Sequence, residues 1–214
     1  MIRMKRILFF LLLGVCLGLK AADRDDSKYL AGAVPEVNGV VTFEKQFKVP
    51  GQTDDQIRNT LMTYVKESLV KNAIEGLRTR VISDGTTGEP ICARIEEMMV
   101  FKNKPLYLDR TRFRYQTTIS VENGKATITI SQISYCTGEE AEGAKTETFK
   151  AEEWISDKAS INKAGTKLYP RSAKYRRKTV DRVEQIFEEA MASFEPKAEK
   201  PVEKPKRRSV VVEE

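Results

Sequence analysis

Histidine is absent from the 214 residues. That removes Ser-His-Asp and Cys-His nucleophilic catalysis and the commonest metal ligand. Two of the three cysteines, Cys92 and Cys136, lie beyond the N-terminal segment, and two thiolates alone do not complete a zinc site. Carboxylates come in neighbouring pairs, Asp54-Asp55, Glu96-Glu97 and Glu152-Glu153, none flanked by the aromatic cleft of a glycosidase. Gly85-Thr86-Thr87-Gly88 lacks the lysine and the spacing of a phosphate-cradling loop. The expectation is a non-enzymatic protein with no cofactor and no metal. What remains is cationic. Arg94, Arg112 and Arg114 fall on one strand face, with Tyr135 near them. Arg171, Lys174, Arg176, Arg177 and Lys178 crowd the start of the last helix. The first set can bind an anion or a carboxylate-bearing peptide, and the second suits phosphate or lipid headgroups. The plain alternatives are a solvated face relieved by Glu96, and an exposed positive turn offset by Asp181 and Glu184.

The strands must position the first set. Ile91–Lys102, Leu106–Val121 and Lys125–Cys136 read as an antiparallel meander, the last two strands joined by Asn123-Gly124, whose turn needs positive φ at both positions. That turn pairs Ile119 with Ile128 and Val121 with Ala126. A tight turn at Asn103–Pro105 pairs Ile91 with Thr117, Ala93 with Tyr115 and Ile95 with Phe113. It also sets Arg94 against Arg114 and Glu96 against Arg112. Alternation then puts Ile91, Ala93, Ile95, Met99, Phe113, Tyr115, Ile119, Val121, Ile128 and Ile130 on one face. Arg94, Glu96, Arg112, Arg114, Thr118, Ser120, Thr127 and Thr129 form a wet face. The parity slips between Ser131 and Tyr135, as a bulge would make it. In this register Cys92 and Cys136 stand on opposite faces, on the order of 15 Å apart at ~3.3 Å per residue. A disulfide needs Cα atoms within about 7 Å, so two free thiols are expected.

Residues 1–22 read as a secretory signal peptide. Arg3, Lys5 and Arg6 precede the apolar run Ile7–Leu19, and Ala21 and Ala22 precede a polar stretch. Leu13-Gly14-Val15-Cys16 is a poor lipobox, which makes lipidation at Cys16 the alternative. Removing residues 1–22 takes four basic residues and no acid from a net charge of +6, leaving +2, so the basic pI gives no nucleic-acid footprint. The expected address is the periplasm or cell envelope of a Gram-negative bacterium, with an outer-membrane lipoprotein or a secreted protein as alternatives. No transmembrane span follows the signal.

Residues 23–37 read as a polar, extended lead-in, and 38–194 as a single domain. Val40–Val49 alternates as a strand, and Lys45 interrupts its inner series, which suits an edge. Thr53-Asp54-Asp55-Gln56 is a capping box for a helix running to about Ile74, with Ile57, Leu61, Tyr64, Val65 and Leu69 on one side. Leu77–Ile82 is open between a last helical turn and a short strand. Thr137–Gly143 is an acidic loop, Thr146–Ala151 a returning strand, and Glu152–Ile155 a helical turn whose Trp154 plugs one end of the core. Ala173–Phe194 is a long helix with an apolar stripe through Val180, Val183, Phe187, Ala190, Met191 and Phe194. Residues 195–214 form a Pro-, Lys- and Glu-rich tail of disordered composition.

Gly39-Val40-Val41-Thr42-Phe43, the capped helix from Asp54, Glu152-Glu153-Trp154-Ile155-Ser156-Asp157 and Arg176-Arg177-Lys178-Thr179-Val180-Asp181 together resemble a family of exported proteins of Bacteroides-type bacteria. Its domain, of unknown function, has a TATA-binding-protein-like fold. The resemblance covers roughly residues 36–194. It implies an α+β fold: a curved antiparallel sheet of about five strands, in the order β-α-β-β-β-β-α, with two helices packed on one face. It implies no activity, and the DNA-binding founder of the fold class lends none, since folds host unrelated functions.

The expected function is a binding or interaction module of the envelope, with an envelope protein or a small anionic ligand as partner and no nucleic acid. The alternatives are a hydrolase with an unrecognised carboxylate pair and a structural lipoprotein tethered at Cys16.

Overall fold

The computed structural model describes residues 24–71, 73, 78–138 and 146–195. The signal segment with Cys16, the helix end near Ile74 and Gly76, the acidic loop at 139–143 and the tail from 196 onward lie outside the described residues.

An open six-stranded antiparallel sheet carries the fold. Its strands are β3 (Phe43–Lys48), β4 (Arg80–Asp84), β5 (Ile91–Lys104), β6 (Tyr107–Glu122), β7 (Lys125–Thr137) and β8 (Glu147–Lys150). They lie in the order β3-β7-β6-β5-β4, with β8 also on β7. This is one strand more than expected, because β4 begins at Arg80, inside the stretch left open between helix and strand. The predicted first strand breaks at Thr42: β1 (Glu36–Val37) and β2 (Val40–Val41) form a separate small hairpin, and β3 takes the sheet edge that Lys45 implied.

Two long helices lie on the inner face. The first, α1 (Asp54–Tyr64), opens with the predicted capping box: Gln56 N donates to Thr53 Oγ1 at 3.3 Å, and Thr53 N donates to Gln56 Oε1 at 2.9 Å. Its last turns widen into a π-helix, Val65–Val70. Two short helices, α2 (Ala151–Trp154) and α3 (Asp157–Ser160), lead into α4 (Pro170–Ala192). Proline at the first turn of α4 suits a position whose N–H has no helical partner. The helices touch where Tyr64 Oη donates to Ile186 O at 3.1 Å. One buried cluster unites Phe113 and Ile128 of the sheet with Leu61 of α1 and Phe187 of α4.

The Asn123-Gly124 register is the predicted one, with Ile119 against Ile128 and Val121 against Ala126. Asp54 braces this turn by accepting from Gly124 N at 2.7 Å and Asn123 N at 3.0 Å. Asp54→Ala therefore costs two roles at once, helix-end charge and turn acceptor. We expect a loss of about 1–2 kcal/mol, read as a lower urea midpoint at unchanged slope.

The other hairpin differs from expectation by two residues. Its turn is Pro105-Leu106, with Leu106 at φ 65, and β5 carries a bulge between Val100 and Lys102. Ile91 faces Ile119 and Ile95 faces Tyr115. A shift of two preserves side-chain parity, so the apolar face is unchanged while every polar partner moves. A second bulge, centred on Gln132 at φ 52, swings Ile133 and Tyr135 back to the buried face. Tyr135 therefore lies in the core, its Oη 2.6 Å from Thr179 Oγ1, and not on the wet face.

The lead-in is extended only at its end, in Glu36–Val37. Ser27–Tyr29 forms a 3-10 turn on α4, where Tyr29 Oη donates to Asp181 and Lys28 pairs with Asp181 and Glu184.

Candidate functional site

The outer face of the sheet is concave where β4, β5 and β6 meet and β7 bulges. Arg80 of β4 stands directly opposite Arg94 of β5, and Arg94 in turn opposite Gln116 of β6. Like charges directly opposed across an antiparallel pair oppose its formation. Two rows along, Glu96 stands opposite Arg114. The resulting hollow, about 780 Å³, is lined by Arg78, Arg80, Arg94 and Arg114, with Gln116, Gln132 and Ser134 among its polar walls.

Its single acid is already committed. Glu96 is 1% exposed. Its Oε1 accepts from Arg114 Nη2 at 3.0 Å, with Arg112 Nε 3.8 Å away. Its Oε2 accepts from Arg78 N at 3.0 Å. The Glu96 amide donates to Thr79 Oγ1 at 2.9 Å, which ties the segment before β4 to β5. Glu96 is thus the post on which Arg78–Arg80 is hung beside Arg94. Among the described residues, the guanidinium groups of Arg78, Arg80 and Arg94 form no hydrogen bond or ion pair. Arg114 keeps a buried Nε without a partner. The hollow therefore holds four guanidinium groups against one neutralised carboxylate, with donors in the fork geometry that matches carboxylate and phosphate oxygens.

The two-residue shift corrects the expected opposition of Arg94 to Arg114 and moves Arg112 from opposite Glu96 to opposite Met98, although Arg112 Nε stays 3.8 Å from Glu96 Oε1. Arg112 lies against Met98 and Cys136, is buried, and donates from Nη2 to Cys136 Sγ at 3.2 Å. It is buried on the same sheet face beside the hollow, and not in solvent. Cys92 and Cys136 are both free thiols, and Cys136 is buried.

The basic start of α4 has a different role from the expected anion site. Arg176 is fully buried and its guanidinium donates to Tyr29 O, Leu30 O, Ile155 O and Asp157 Oδ1. Arg177 grips Asp26, with Nε to Oδ1 at 2.7 Å. Lys174 lies 2.8 Å from both oxygens of Asp109. Arg171 stacks over the Trp154 ring at 4.6 Å. Cations that looked unfavourable at a helix N-terminus are repaid by carbonyls and carboxylates contributed from distant parts of the chain.

Arg78 and Arg80 were missed because the sequence from Leu77 to Ile82 read equally as helix end or strand. The alternation Arg80-Val81-Ile82-Ser83-Asp84 before Gly85 was the available signal. Gln132 was flagged only as part of the bulge.

The family model of DUF4468, a domain of unknown function with a TBP-like fold, matches residues 43–136, a span that includes every arginine of the hollow. A DUF4468 family protein from Bacteroides ovatus ATCC 8483 has a crystal structure to which the chain is 37% identical, with a TM-score of 0.73 over 83% of this chain and 99% of that one. A TBP-like protein from Parabacteroides distasonis ATCC 8503 is 19% identical, with a TM-score of 0.61 over 76% of this chain and 97% of that one, a likeness of fold alone. No curated protein matches the chain.

Proposed function

The chain belongs to the DUF4468 family of domains of unknown function with a TBP-like fold, and from that premise we propose that it is an exported, non-catalytic binding module of the cell envelope. Its ligand carries a carboxylate or phosphate group, held on the outer sheet face by Arg80 and Arg94. The observation that carries this reading is the directly opposed Arg80–Arg94 pair without a counter-ion among the described residues. An opposed pair of cations costs folding free energy, and a bound anion converts that cost into affinity. Gln132, held at φ 52 on the rim, is consistent with strain kept where a ligand is gripped.

Support for a non-catalytic role comes from the carboxylates. Asp54 is committed to the hairpin turn, Asp55 to Arg58, Glu96 to Arg114, Glu97 to Arg182 and Glu152 to Val41 N. Glu96 and Glu97 also point to opposite faces of β5, so they form no acid pair. Export rests on the pattern of residues 1–22. Among the described residues no helix is long and apolar enough to cross a membrane.

Thermal melts with glutarate or inorganic phosphate test the reading. At ten times its dissociation constant a ligand adds about 1.4 kcal/mol, or roughly 3–5 °C in melting temperature. Arg94→Gln abolishes that rise and, by relieving the repulsion, stabilises the ligand-free protein by about 0.2–1 kcal/mol. An anion-induced rise that survives in Arg94→Gln excludes this site.

A further inference from the structure

We propose that the β5–β6 hairpin is an arm that inserts its tip into the headgroup region of an anionic phospholipid bilayer. Pairing of β4 with β5 stops at Arg80–Arg94, and pairing of β7 with β6 stops at Arg112–Cys136. Beyond that row β5 and β6 continue together from Met99–Thr111 to Lys104–Tyr107 with no flanking strand among the described residues. The ribbon stands out from the sheet by on the order of 15 Å, at ~3.3 Å per residue.

Its base is braced. Phe101 packs edge-on against Tyr175 with ring centres 4.7 Å apart, and Lys174 holds Asp109. Its tip is bare. Leu106 is 108% exposed, Tyr107 55% and Leu108 50%. Leu106 at positive φ points its side chain from the apex of the turn. Lys102 and Lys104 flank the tip, exposed and without an ion pair among the described residues. Asp109, the only acid between Met98 and Thr111, is neutralised by Lys174. The end of the arm is therefore apolar at its apex and cationic around it.

That pattern selects a lipid surface over a protein. Three side chains on a two-stranded tip fall far short of the roughly 1,000 Å² that a specific protein interface buries. Shallow insertion needs only a few apolar groups, a tyrosine at the water boundary and cations facing anionic headgroups.

The test uses the full chain carrying Leu106→Trp, with the wild type, whose one tryptophan is Trp154, as the background. Vesicles contain brominated lipid in phosphatidylethanolamine with phosphatidylglycerol, or in phosphatidylcholine alone. The expected result is a blue-shifted emission, quenched by brominated lipid, with an affinity at least about tenfold higher on the anionic vesicles. Adding Leu108→Glu weakens it by about tenfold at unchanged melting temperature. No quenching on anionic vesicles overturns the proposal, as does equal quenching on both compositions. A blue shift that depends on protein concentration without lipid also overturns it, and assigns the tip to self-association. Because the probe reports only on the tip, binding through the N-terminal apolar run leaves the readout unchanged.

Discussion

Arg176→Met lowers the melting temperature by roughly 10 °C or more, a loss of about 3–5 kcal/mol. Methionine keeps most of the apolar stem and so isolates the guanidinium. What disappears is a knot: one fully buried cation donating to Tyr29 O at 2.6 Å, Leu30 O at 2.8 Å, Ile155 O at 2.5 Å and Asp157 Oδ1 at 2.6 Å. Three carbonyls and a carboxylate from two separate segments then lose this donor; Leu30 O keeps Ala33 N, and the half-exposed Asp157 keeps Gly32 N and water, so the full desolvation cost of about 1–3 kcal/mol each falls on Tyr29 O and Ile155 O. Arg176→Lys restores little, because a single ammonium cannot present a planar fork to acceptors on three sides. Hydrogen exchange distinguishes this from a diffuse effect: the amides of Tyr29, Leu30 and Ala33, which close turns in the clamped segment, lose protection first. A melting temperature within about 3 °C of wild type would show the knot to be incidental.

Above about pH 10 the folded state loses stability at roughly 4 kcal/mol per pH unit. Three buried tyrosines supply that figure, and Tyr29, Tyr175 and Lys28, also raised, add to it with the same sign. Tyr64, Tyr115 and Tyr135 are buried, and burial is the largest cause raising each phenol above its ordinary value; the Glu189 carboxylate beside Tyr64 adds to it there. In the unfolded chain they ionise near pH 10, as free phenols do. In the fold they stay neutral to higher pH. Above pH 10 the folded state therefore binds more protons than the unfolded one, so stability falls as pH rises, and below that value these groups contribute no slope. Urea titrations at about pH 9, 10 and 11, followed by tyrosinate absorbance and by circular dichroism, measure it. Tyr135→Phe should cut the slope by about 1.4 kcal/mol per pH unit while forfeiting the bond to Thr179. A flat profile through this window contradicts the burial of the phenols.

The two turns show how legible the sheet was. Asn123-Gly124 admits one tight geometry, so the residues on either side of it pair as read from the sequence. Pro105-Leu106 places a leucine at positive φ, a conformation its side chain disfavours, and no residue type announces that. The bulge between Val100 and Lys102 compensates in the same hairpin, so counting from the turn misplaced partners by two while leaving the faces intact. The inner face was therefore readable as far as Ile130, with Ile133 and Tyr135 returned to it by the bulge, and the outer face only in composition: Arg94 and Arg114 were on it, but their partners were not. Periodicity separates apolar from polar residues, and it carries no information on which charge meets which. The helix start shows the same limit. Arg176 and Arg177 were visible as cations in an unfavourable place, and their partners, Tyr29, Leu30 and Asp26, lie about 150 residues earlier in a segment that read as a polar, extended lead-in.

The arginines of the hollow and those of α4 make opposite uses of one chemical group. Four acceptors saturate Arg176 within the fold, which leaves nothing for a ligand. Arg80 and Arg94 face each other across a ladder with no acceptor between them among the described residues. The proposed function rests on that contrast.

Nitrogen-resolved magnetic resonance of the arginine side chains reads the contrast directly. With glutarate or phosphate titrated into the full chain, the account predicts that the Nε–H signals of Arg80 and Arg94 move together along one binding curve while those of Arg176 and Arg177 stay fixed. Stationary Arg80 and Arg94 signals at anion concentrations that shift the Arg171 or Arg177 signal would contradict it.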